Sequence, residues 1–161
     1  MKSQAFASHF QVWLQEELDA QRKLAMLLER QLNAVRRSST EDVALVVDEL
    51  ESELRTSTRR DMKRKTLITA FAKAAGMDVQ SLTLGHIVEL LGERGVSTQG
   101  MMRLRTELRD TVAGVLKLNR RVATLARYHQ GLFNEVLGAL AAAAESDNVL
   151  PTSGTLLDAR V

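Results

Sequence analysis

From the N-terminus, apolar residues recur three and four apart with Gln, Glu, Lys and Arg between them: Phe6, Phe10, Trp13, Leu14, Leu18, Leu24, Leu27, Leu28, Leu32 and Val35. That period places them on one face of a helix over residues 3 to about 37. The polar run Ser38-Ser39-Thr40 interrupts it, and Ser39 followed three residues later by Asp42 has the form of a helix start, with Asp in place of the usual Glu. The pattern resumes through Val43, Val46, Val47, Leu50, Leu54, Leu67, Ile68, Phe71 and Ala75 and meets Gly76, a natural left-handed stop. This predicts a second helix over about 41–75, joined to the first by a tight hairpin. Thr83 then caps a short connector helix of Leu84, Ile87, Val88, Leu90 and Leu91, expected to end at Gly92.

Ser97 or Thr98 opens the longest pattern. Met101, Leu104, Leu108, Val115, Leu118, Val122, Leu125, His129, Leu132 and Val136 follow at intervals of three, four or seven, a heptad seam. A helix over about 98–145 would be on the order of 70 Å long, too long for a compact globule. The expected fold is all-α: an elongated antiparallel bundle of three long helices with a short connector helix over residues 1–145. Residues 146–161, SDNVLPTSGTLLDARV, lose the period and carry Pro, Gly, Ser and Asn, which predicts a flexible C-terminal tail.

Composition narrows the functional classes. The 161 residues suit one domain, and 45% apolar content supports a core. A formal charge of +2 is too small for a whole-molecule field that grips nucleic acid, so none is expected as a partner. Cysteine is absent, which excludes disulfides and thiolate chemistry. No window approaches the roughly 20 apolar residues of a membrane span and the start lacks a signal-like run, so a cytoplasmic protein without membrane insertion is expected.

Candidate chemistry is sparse. His9, His86 and His129 fall on three different elements without ligand spacing, and His129 reads as a satisfied core histidine. Glu41, Asp42, Asp48, Glu49, Glu51 and Glu53 crowd the first half of the second helix, and cations follow in its second half. This arrangement complements the helix dipole and allows pairs such as Glu51 with Arg55, so it reads as a solvated face. The basic run Arg55, Arg59, Arg60, Lys63, Arg64 and Lys65 surrounds its helix without interleaved aromatics, and also reads as solvated surface. Phe6, Phe10 and Trp13 form an aromatic turn expected to plug one end of a bundle. No phosphate loop, nucleophile elbow or zinc signature occurs, so no catalytic residue, metal site, cofactor or enzymatic activity is expected.

The end of the last helix is the most informative stretch. Val136 to Ala144, VLGALAAAA, carries no charge. Leu132, Phe133, Val136, Leu137 and Leu140 spread over an arc of roughly 140° at about 100° per residue, wider than one seam. Gly131 and Gly138 each weaken that helix by about 1 kcal/mol relative to alanine. Close packing against the first helix would explain this, and so would a face completed by a partner helix.

Three segments in this order resemble the FlgN family of flagellar type III export chaperones: LQEELDAQRKLAMLLERQ, LTLGHIVELL, and LRTELRDTVAGVLKLNRRVATLARYHQGLFNEVLGAL. The resemblance covers most of the chain. It implies a cytoplasmic, non-enzymatic chaperone that binds the terminal helical segments of the hook–filament junction proteins FlgK and FlgL and presents them at the export gate. Client binding then maps onto Leu125, Leu132, Phe133, Val136, Leu137 and Leu140. In the tail, Leu156-Leu157-Asp158 stands where many members carry a Tyr-Gly or Tyr-Asp turn, so gate contact would fall to Leu156 and Leu157. Family members often read L-N-x-x-N in the last helix, whereas here Leu118-Asn119 is followed by Arg120, Arg121 and Val122. The alternatives are a helical coiled-coil adaptor using the aromatic N-terminal end, or a nucleic-acid-binding regulator acting through residues 55–65.

Overall fold

Four helices follow one another in the computed structural model, which describes residues 3–147: α1 (Ser3–Arg36), α2 (Thr40–Ala75), α3 (Leu84–Glu93) and α4 (Gln99–Asp147), with a short 3-10 turn at Val79–Ser81. The described residues contain no strand, so the all-α class holds. The chain divides into two compact units, residues 1–123 and the part from Thr124 onward. Most of the expected tail, from residue 148, lies outside the described residues, as do Leu156 and Leu157.

Local signals set most helix ends. Ser39 Oγ accepts from the Asp42 amide and Thr83 Oγ1 from the His86 amide, each satisfying an N-terminal N–H that has no partner in its own helix. Gly76 takes φ +68° and closes α2, with Met77 N donating to the Ala72 carbonyl beneath it. The connector helix passes through Gly92, where it was expected to stop, and runs on to Glu93. The left-handed residue is Gly95 at φ +75°, with Gly95 N bonded to Gly92 O and Val96 N to Leu91 O. The stop lies one turn later because Val96 is the apolar residue that folds back into the core.

α1 and α2 form an antiparallel hairpin, as their cross-pairs show: Lys63 meets Glu16, Arg60 meets Glu17, Glu53 meets Lys23 and Glu49 meets Arg30. One number rises as the other falls. The core of this first unit gathers Phe6, Phe10, Trp13, Leu14 and Leu18 from α1 with Phe71 of α2, Ile87 and Leu91 of α3, and Met101, Leu104 and Leu108 of α4. Phe6 stacks on Phe10 at 5.7 Å and meets Phe71 at 4.8 Å. The aromatic turn is therefore buried, as a plug should be.

α2 departs from expectation at two positions. Leu54, counted in the apolar pattern, is 57% exposed, and Glu53, counted in the solvated acidic face, is 7% exposed. Val46, Glu53, Arg60 and Leu67 are seven apart and share one stripe, and Leu54 lies about 100° off it. Glu53 is tolerated there because Lys23 and Arg60 reach it at 2.8 and 2.9 Å. Burial pushes its carboxyl upward, but the hydrogen bonds and charges of those two cations outweigh it and hold the group below its ordinary value.

Candidate functional site

Among the described residues, the exposed apolar face lies on the part of α4 in the second unit. On α4 the apolar stripe keeps one phase throughout, yet its burial does not. Met101, Leu104, Leu108, Val115 and Val122 are buried, whereas Leu125 and His129 are half-buried. In the second unit Leu132, Phe133, Val136, Leu137 and Leu140 are exposed at 41, 63, 56, 48 and 61%. Such an exposed apolar arc is the kind of surface on which partner helices dock in other proteins. All six residues assigned to client binding thus lie on one side of one helix, with Leu125 at the buried edge.

A Cβ added at Gly131 or Gly138 would meet nothing within 4 Å. At about 100° per residue both lie roughly opposite the centre of the apolar arc, so they loosen the helix without shaping its apolar face.

The remaining candidates have local uses. Glu51 pairs with Arg55 as the sequence suggested, at 3.8 Å and in the open. Arg64 and Lys65 bond Asp61, whose carboxyl they hold below its ordinary range, Lys63 bonds Glu16, and Arg60 is shared between Glu17 and Glu53. Most of the basic run is therefore paired with this chain's own carboxylates. Burial of Phe6, Phe10 and Trp13 likewise leaves that end no exposed aromatic surface for an adaptor. His129 stands edge-on to Tyr128 at 6.1 Å, and among the described residues no group of three His, Asp or Glu side chains is placed to hold a metal ion. No helix among the described residues is long and apolar enough to cross a membrane.

Residue reading missed the Lys23–Glu53–Arg60 knot. The available signal was the seven-residue spacing of Val46, Glu53, Arg60 and Leu67, a seam with a carboxylate and a guanidinium at adjacent levels. Compared with protein-family models, curated proteins and solved structures, the chain has no match.

Proposed function

We propose that this protein is a cytoplasmic export chaperone that binds amphipathic helices, and that its clients are the terminal segments of the flagellar hook–filament junction proteins FlgK and FlgL. The observation that carries the reading is the joint exposure of Leu132, Phe133, Val136, Leu137 and Leu140 on one arc of α4. An apolar helix face in water is matched by the apolar face of another helix laid along it, with anchors at i, i+3, i+4 and i+7. The sequence resemblance to the FlgN family supplies the class of client, and an elongated antiparallel arrangement of the three long helices would present the face to it.

The mechanism needs no bond-making. Coiled-coil termini of axial proteins would associate or be degraded before export, and a chaperone that covers their apolar stripe one-to-one keeps them apart. The α4 face is spaced for that task, and Gly131 and Gly138 leave the helix weak until a client orders it. Such coupled ordering lowers affinity and so favours release to a competing partner at the export gate. Leu156 and Leu157 are the residues proposed to touch the gate.

Calorimetric titration of the full chain with a C-terminal helical fragment of a junction protein tests this. Phe133→Ser combined with Leu137→Ser is expected to weaken binding at least about a hundredfold, since each buried anchor contributes on the order of 2 kcal/mol. Undiminished binding by that variant, with loss of binding on disturbing α1 instead, would contradict the assignment.

A further inference from the structure

Between the start of α3 and the N-terminal half of α4, within the first unit, lies a cleft of about 410 Å³. Its floor is Leu84, Leu108 and Val112, and its α4 edge carries Arg105 and Arg109. Thr83, the other polar residue on its lining, is engaged in capping α3, and no carboxylate among the described residues lines it. Leu108 and Val112 are four apart, and so are Arg105 and Arg109, three positions before them. α4 thus offers an apolar row and a cationic row side by side, each repeating about once per turn.

Both arginines can turn to an outside acceptor. Arg105 makes no ion pair or hydrogen bond among the described residues, and its guanidinium lies against Gly85, where an added Cβ would come within 2.7 Å of Nη2. Arg109 bonds Asp110 beside it on the same helix, with both side chains mostly in water, so that pairing holds it weakly. Two like charges one turn apart repel each other, and an external carboxylate row relieves them. The adjoining clefts differ in sign. The one that shares Leu84, Leu108 and Val112 carries Glu17 and Asp61, and the one that shares Gly85 and Arg105 carries Glu89 and Glu93. These carboxylates repel acidic groups and so confine a partner's acidic row to the α4 edge. The paired rows also select the form of the partner. A helix shows two adjacent rows on one side at a four-residue repeat, whereas a strand shows one row per face.

We propose that this cleft docks an amphipathic helix of another protein, whose leucine-type row lies over Leu84, Leu108 and Val112 and whose neighbouring row of glutamate or aspartate accepts from the Arg105 and Arg109 guanidinium groups. Every residue involved belongs to the first unit, and the proposal does not rest on the chaperone reading.

The full chain, with leucine and valine methyl groups labelled for magnetic resonance, is titrated with acetyl-AEAALEAALEAALEAALA-amide, in which glutamate and leucine form adjacent rows, and with the same peptide carrying glutamine for glutamate. The glutamate peptide is expected to move the methyl resonances of Leu84, Leu108 and Val112 saturably, and the glutamine peptide to bind about fivefold more weakly. Arg105→Gln combined with Arg109→Gln, with unchanged circular dichroism, should bring the glutamate peptide down to the affinity of the glutamine peptide. Phe133→Ser combined with Leu137→Ser should leave its binding unchanged. Equal binding of the two peptides overturns the proposal, as does undiminished binding by the arginine variant or an absence of shifts at Leu84, Leu108 and Val112. Loss of binding in the Phe133 and Leu137 variant would assign the peptide to the second unit and overturn it as well. Phosphatidylglycerol vesicles that move the same methyl resonances, with the same dependence on Arg105 and Arg109, would overturn the helix assignment in favour of a lipid surface.

Discussion

At Ser38 the backbone turns left-handed, φ +54°, so that Ser38 N can reach the Val35 carbonyl and Ser39 N the Ala34 carbonyl. This is the geometry that Gly76 and Gly95 adopt at their helix ends, but here a side chain bears it, at a cost of roughly 1–2 kcal/mol. Ser38→Gly is expected to raise unfolding stability by about 0.5–1 kcal/mol, part of the relief being offset by the freer unfolded chain, as urea titration would show. Glu53 supplies the opposite case. Its folded carboxyl titrates below the ordinary value of 4.5 because Lys23 and Arg60 outweigh its burial, so its contribution is present above that value and is lost as pH falls through the folded pKa. Glu53→Gln is expected to cost about 2 kcal/mol at neutral pH, with the gap to the parent protein closing as pH falls below 4.5 and through the lowered folded pKa. A gap independent of pH would show that packing, not charge, is what Glu53 provides.

At the scale of elements, what was legible was local. Ser39, Thr83 and Gly76 announce their helix ends because a cap needs only the residues one turn away. Gly92 misled because two glycines three apart both fit a stop, and the choice fell to Val96, whose burial depends on the rest of the core. Glu53 misled because a carboxylate among five others reads as surface until α1 is seen to place Lys23 opposite it. A slip in hairpin register would break the cross-pairs Lys23–Glu53 and Arg60–Glu17. In α4, Gly131→Ala and Gly138→Ala meet open space, so each is expected to stabilise the helix by about 1 kcal/mol. Because both lie away from the apolar arc, the double variant should bind client several-fold tighter by pre-ordering the helix, as calorimetry would read. Weaker binding would mean that the client approaches the helix from the glycine side.

For the molecule as a whole, the candidate residues were legible but their exposure was not. A stripe such as Val115, Val122, Leu125, Leu132 and Val136 has the same period whether or not another helix covers it, and cover is supplied by residues far away in the chain. Only the fold separates the buried Val122 from the exposed Val136. The consequence is a difference in local stability. A helix of about 19 residues without apolar cover is marginal in water, while the core of the first unit is not. Hydrogen exchange of the backbone amides over residues 124–142, with and without a junction-protein fragment, tests the central claim most directly. The account expects these amides to exchange far faster than those around Leu14 and Leu104 in the free chain, and to gain at least about tenfold protection when the fragment binds. Protection already equal to the core in the free chain, or no change on binding, would contradict it.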